Sequence, residues 1–170
     1  MGAIVAAIKT LTQPGEGVLV HLPNYTGFTY GIADAGRRLV GTPLVRDEQG
    51  VFRMDLADME EKIRAEKICC LILCSPHNPT GRVWTRQELE QVSELCEKYG
   101  VYIISDEVWA DFVFAPARQI ATALVTDYTR SHTIATYGAT KTFNLAGLRA
   151  AYSIVYDDQL RAAYQKKSVE

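Results

Sequence analysis

Six short strand-like runs, several of them continuously apolar, recur along the chain, and their length and spacing limit the fold more than any other feature. They lie at 18–22, 38–44, 68–74, 101–105, 133–137 and 150–156. Each is long enough for a buried strand and too short for an ordinary helix, while helical patterns fill most of the intervals. The clearest helix follows Thr85, in TRQELEQVSELCEKYG. A threonine cap has Glu88 three residues on, and apolar Leu89, Val92, Leu95, Cys96 and Tyr99 share a face. Gly100 then stops the helix. Strands that are apolar on both faces and alternate with helices predict an α/β fold, a three-layer α/β/α arrangement with a mainly parallel sheet. No repeat, low-complexity tract or linker divides the chain, so a single domain over residues 1–170 is expected.

Charge and composition narrow the function. With 48% hydrophobic residues in 170, the chain can bury a sizeable core. A net charge of -2, with acids and bases interspersed, gives no footprint for nucleic acid or an anionic membrane surface. No apolar run approaches the roughly 20 residues of a membrane span, and the first residues lack a basic start and a cleavage pattern. A cytoplasmic protein with no nucleic-acid or membrane partner is expected. Cys69, Cys70 and Cys74 fall in one strand-like run, where Cys70 and Cys74 share a face about 13 Å apart at roughly 3.3 Å per residue. One metal ion cannot bridge that gap, and Cys96 lies on a separate helix. All four read as reduced core thiols, with no metal site.

Ligands in a parallel sheet gather beyond the carboxyl ends of its strands. The run at 18–22 leads into LPNYTGF, that at 68–74 into SPHNPTGRVW, that at 101–105 into SDEVWADF and that at 133–137 into GATKTFN. One edge of the sheet therefore collects an aromatic ring (Tyr25), an amide (Asn78), a carboxylate (Asp106) and an amine (Lys141). Taken singly, each has a plainer reading. A lysine is usually solvated, a carboxylate after a strand often caps a turn, Asn-Pro near Gly is a turn signature, and a tyrosine at a helix start often packs in the core.

The segments PHNPTGRVWTRQELE, SDEVWADF and TKTFNLAGLR, in this order, resemble the fold type I pyridoxal-phosphate (PLP) enzymes of the class I/II aminotransferase superfamily. Within it they are most similar to the cystathionine β-lyase-like C–S lyases, and the resemblance covers essentially the whole chain. It implies pyridoxal 5'-phosphate as cofactor. Lys141 would supply the amine that bonds the cofactor aldehyde and later shuttles the substrate Cα proton. Asp106 would keep the ring nitrogen protonated, Asn78 would donate to the phenolic oxygen, and Tyr25 would stack on the ring and join in proton transfer. Arg149 would grip the phosphate with its fork, helped by Thr140 and by the backbone amides of Ala3 and Ile4 at a helix start. Lys141 and Tyr25 are thus the expected catalytic residues. Glu107 and Asp111 are expected to cap local turns, and His77 to pack as a structural histidine.

Two departures from the family pattern stand out. Gly138 occupies the place of a serine that contacts the phosphate, with Thr140 as its substitute. Trp109 replaces a usual tyrosine or histidine, and an indole donates one hydrogen bond but cannot relay a proton. The chain corresponds to the family's large-domain core, with the N-terminal segment and the C-terminal small domain outside it. The implied function is a C–S β-lyase that releases a keto acid, ammonia and a thiol from an amino acid. A class I/II aminotransferase is the second reading, and a catalytically silent fragment of the PLP domain the third. The resemblance also implies a homodimer.

Overall fold

In the computed structural model, which describes residues 1–168, the apolar runs become strands of one sheet. These are β1 (Gly17–Leu22), β2 (Arg38–Arg46), β3 (Phe52–Met54), β4 (Cys70–Cys74), β5 (Tyr102–Asp106), β6 (Thr133–Tyr137) and β7 (Tyr152–Ile154). Their order across the sheet is β3-β2-β1-β4-β5-β6-β7. The five central strands are parallel, and β3 and β7 close the two edges in antiparallel pairing.

Successive strand residues point to opposite faces, and here both faces are covered. On one, Val18, Val20, Ile72, Ile104 and Ile134 pack against α1 (Gly2–Leu11), α2 (Thr26–Asp34) and α7 (Asp158–Ser168). On the other, Leu19, Leu71, Leu73 and Ile103 meet α3 (Leu56–Glu66) and α4 (Arg86–Tyr99), with Tyr128 of α5 (Asp127–His132) at the margin. Two-sided burial is why the strands read as continuous apolar runs, and the result is the three-layer α/β/α fold with a mainly parallel sheet.

Helix α4 forms as its sequence dictates. The Thr85 hydroxyl accepts from the Glu88 N–H at 3.2 Å, and the Glu88 carboxylate accepts from the Thr85 N–H at 2.8 Å. Gly100 ends the helix at φ 68°, a conformation that favours glycine.

Some boundaries differ from the expected ones. The 101–105 run is displaced by one residue, so Asp106 is the last residue of β5 and not the first beyond it. Only 152–154 of the last run pairs with β6. β4 starts at Cys70, leaving half-buried Cys69 outside the strand, against its expected place in the core. The other three cysteines are buried and all four are unpaired. Strand β3 was not expected. It returns from β2 through a turn in which Asp47 Oδ1 accepts from the N–H groups of Gln49 (3.1 Å) and Val51 (2.8 Å).

Candidate active site

The carboxyl ends of β4, β5 and β6 lie in one hydrogen-bonded row, with Cys74 paired to Asp106 and Asp106 paired to Thr136. This row forms the floor of a cavity of about 560 Å³, a size suited to a small ligand. Around the floor stand Tyr25, Asn78, Trp109, Thr140, Lys141 and Arg149, with Met1, Gly2 and Ile4 at the α1 end. Of the residues singled out in the sequence for cofactor binding, all but Ala3 line this one space. Ala3 lines a neighbouring cavity with Tyr152, Arg161 and Tyr164, and its carbonyl accepts from the Tyr164 hydroxyl at 3.3 Å.

Local structure sets each group. Lys141 lies on a single helical turn, α6 (Ala139–Thr142), directly after β6, and its Nζ is 5.0 Å from the centre of the Trp109 ring. That turn is tied down by the Thr142 hydroxyl, which donates to Asp111 at 2.6 Å. Asp111 therefore holds the lysine's turn and does not cap its own segment. Tyr25 precedes the first residue of α2, and its ring lies over the start of that helix. A Cβ at Gly27 would come within 2.3 Å of the ring, so only glycine leaves it room. Arg149 adopts the left-handed region at φ 50°, rare for a non-glycine residue. It follows a 3₁₀ turn at Ala146–Leu148 and reaches the cavity from the far side of the lysine loop.

Asp106 is buried, and burial holds its carboxyl pKa above the usual range. The Val108 N–H, which donates to Oδ1 at 3.2 Å, and the Lys141 ammonium pull it back, while the Glu107 charge pushes it further up. The turn-capping role expected of Glu107 is thus performed by Asp106 itself. A buried carboxyl in this state gains from a cationic partner. Asn78 belongs to a loop whose backbone is fixed at several points. Its N–H donates to Cys74 Sγ at 3.4 Å, while the His77 N–H donates to the Arg82 carbonyl at 2.7 Å. The Trp84 indole donates to the Cys74 carbonyl at 2.9 Å. His77 is buried, as expected, with Nδ1 at 2.8 Å from the Thr80 hydroxyl, and burial lowers its pKa to about 4.

Two floor residues escaped the sequence reading. Cys74 is a buried thiol whose pKa is driven up by burial and then by the Asp106 charge, so it is an inert wall. Thr136 is buried, and its hydroxyl has no hydrogen-bond partner among the described residues. Their common signal is position, since each stands at or next to the end of a strand, in register with Asp106. The N–H groups of the first turn of α1, which carries Gly2 and Ile4, have neither an intrahelical acceptor nor a side-chain cap. The cavity therefore offers cations, open amides and, on its floor, a buried carboxyl beside an orphaned hydroxyl.

Comparison with known proteins identifies the family. Residues 1–168 match the model of the family described as Aminotransferase class I and II. The cystathionine beta-lyase PatB of Bacillus subtilis is 34% identical over 162 residues, covering 95% of this chain and 42% of its own. Cystalysin from Treponema denticola, whose crystal structure contains a pyridoxal 5'-phosphate cofactor, superposes with a TM-score of 0.92 at 27% identity, covering 98% of this chain and 42% of that one. The N-succinyldiaminopimelate aminotransferase of Mycobacterium tuberculosis gives a TM-score of 0.89 at 32% identity, with the same coverage of 98% and 42%. The chain thus spans about two fifths of the length of the relatives it matches. With the fold, the row of strand ends and the family match in agreement, this chain belongs to the class I and II aminotransferase family.

Proposed function

We propose that this chain holds pyridoxal 5'-phosphate in the cavity and, as part of a whole protein, acts on amino acids as a C–S β-lyase. One observation carries the reading: Lys141, Asp106, Asn78, Tyr25, Thr140 and Arg149 all line a single space. The residues present suit the cofactor. Asp106 is a buried carboxyl in want of a cation, and a protonated ring nitrogen would serve. Arg149, Thr140 and the open amides of α1 suit a phosphate, and the Thr136 hydroxyl suits a polar ring substituent.

When bound, the cofactor supplies an electron sink for the carbanion formed at the substrate Cα. The chain's own groups do the rest. Lys141 Nζ takes the Cα proton and returns it, Tyr25 orients the flat ring, and Asn78 donates to an oxygen of it. Trp109, 5.0 Å from Lys141 Nζ, shields that side of the amine from water without adding a proton relay. The lyase reading is supported by the 34% identity to a cystathionine β-lyase over nearly the whole chain. An aminotransferase is the second reading, favoured by the likeness to the N-succinyldiaminopimelate enzyme. The two reactions diverge only after proton removal, and the same cavity residues serve both.

In this reading the 170 residues are the cofactor-holding core, and the contacts to the substrate α-carboxylate come from elements beyond it. A homodimer accords with the exposed Phe143, Leu148 and Tyr152, which are 67%, 68% and 57% accessible around the lysine loop; sedimentation as a monomer would contradict it. The unpaired cysteines accord with a reducing, cytoplasmic setting. The test of function is direct. Added pyridoxal phosphate should raise a visible absorbance band that Lys141→Ala abolishes. The whole protein, loaded with the cofactor, should then release pyruvate from cystathionine. Keto-acid formation only in the presence of a second keto acid would favour the aminotransferase, and a colourless protein would contradict both.

A further inference from the structure

Beside the cavity, and outside its lining, lies a buried carboxylate that the mechanism does not use. Glu107 is 1% exposed, and among the described residues it has no cationic partner. A buried carboxylate is costly unless hydrogen bonds replace its water. Here they come from several elements. Oε1 accepts from the Ser105 hydroxyl at 2.9 Å and from the Thr122 N–H at 3.1 Å, and Oε2 accepts from Gln119 Nε2 at 3.0 Å. The Tyr137 phenol also lies within reach of its charge.

The bonds lead to the loops that carry the site. Gln119 Nε2 also donates to the Ser75 carbonyl at 3.1 Å, at the start of the loop bearing Asn78. Tyr137 is the last residue of β6, four positions before Lys141. Ser105 and Glu107 flank Asp106, and the Glu107 N–H donates to the Thr136 carbonyl at 2.9 Å. We propose that Glu107 is a positioning residue that locks the strand ends bearing Asn78, Asp106 and Lys141 into one arrangement, by bonding outward to Gln119 and by drawing the Tyr137 phenol to its charge. Two further effects accord with this. The Tyr137 phenol is held well above its ordinary pKa, first by burial and then by the Glu107 charge, so it stays a donor. The same charge also raises the Asp106 pKa, behind burial, which increases the gain when a cation meets Asp106.

The role rests on the proposed function only for what the loops hold, so it can be tested without cofactor. In Glu107→Gln, one acceptor oxygen becomes an N–H₂ group, so the amide cannot accept on both sides as the carboxylate does. Hydrogen exchange in the full chain should then quicken about tenfold or more at both residues 75–82 and residues 137–145, as expected for lost bonds to a charged acceptor. Amides of β1 and β2 should keep their rates. Gln119→Ala should loosen only residues 75–82, and Tyr137→Phe only residues 137–145. Unchanged exchange in either segment of Glu107→Gln, or a uniform rise over the whole sheet, would overturn the proposal.

Should Glu107→Gln fail to fold, the double variant Gln119→Ala, Tyr137→Phe decides. Exchange in each segment beyond that of the matching single variant supports a common link, and equality contradicts it. A second readout is retention of pyridoxal phosphate, expected about tenfold weaker in Glu107→Gln. Wild-type protein that takes up no cofactor would sink the functional reading, while the exchange rates would still judge Glu107.

Discussion

A Cβ at position 138 has room. It would lie 3.4 Å from the Ala150 carbonyl oxygen, 3.6 Å from the Thr140 hydroxyl and 3.7 Å from Val108 Cγ1, and the backbone there is extended at φ -158°. Glycine is therefore not demanded by sterics at this point, and the Thr140 hydroxyl already stands beside the place a serine would fill. Gly138→Ser should add a donor beside the Thr140 hydroxyl and tighten pyridoxal phosphate by up to about tenfold, one hydrogen bond to an anion. Titration by visible absorbance checks this, and unchanged or weaker affinity would show that Thr140 leaves no vacancy. The residue types of the site were legible because chemistry forces them: an amine, a carboxylate and a fork follow apolar runs where solvated loops would otherwise lie. Thr136 and Cys74 were not legible, because a threonine or cysteine near the end of a strand-like run looks like core until its partner strands are known. Glu107 was misread as a turn cap for the same reason. Its donors come from positions 105, 119 and 122, and only the fold brings them together.

Helix α4 shows how an element can position a site it never touches. Glu88 closes the capping box and also takes both terminal contacts of Arg82 Nη2 at 2.6 Å, while Arg82 Nε donates to the Phe52 carbonyl at 2.8 Å. The Arg82 carbonyl in turn accepts from His77, next to Asn78. The N-terminus of α4 and the edge strand β3 thus brace the asparagine loop from outside. Thr85→Ala, which removes only the cap, should cost about 1 kcal/mol. Glu88→Ala removes the cap's return bond and strands a half-buried guanidinium, and should cost about 2–3 kcal/mol. Urea unfolding of both variants checks the order, and equal losses would show that Arg82 gains nothing from Glu88. At this scale the sequence was most informative where local rules act alone, as in the cap, the apolar face and the stop of α4. It was silent on β3, whose three half-buried residues carry no alternation, and it overextended the last run, where 150 and 151 belong to the cavity wall and not to the sheet.

The molecule as a whole carries two buried imidazoles on the sheet face that packs against α3 and α4. Burial, and then the charge of His77, lowers the pKa of His21 to about 3, and burial lowers that of His77 to about 4. Both are neutral in the folded protein, whereas in the unfolded chain each titrates near about 6.5. Between about pH 6.5 and pH 4 the unfolded chain binds the extra protons, so stability falls as pH falls through this window. The slope should approach about 1.4 kcal/mol per pH unit for each histidine. Neither ring nitrogen of His21 has a hydrogen-bond partner among the described residues, so His21→Leu should cost little near neutral pH and flatten the slope by about half. Chemical denaturation across the window checks this, and an unaltered slope would contradict it. The central claim also belongs to the whole molecule, because β5 and β6 must bring the Asp106 carboxyl and the Lys141 amine to one cavity, where they would hold the cofactor between them. Its most direct test is borohydride reduction of protein mixed with pyridoxal phosphate, followed by mass-spectrometric mapping of the labelled lysine. The expected result is one pyridoxyl group on Lys141, sharply reduced in Asp106→Ala. Label scattered over surface lysines, with no effect of Asp106→Ala, would contradict the account.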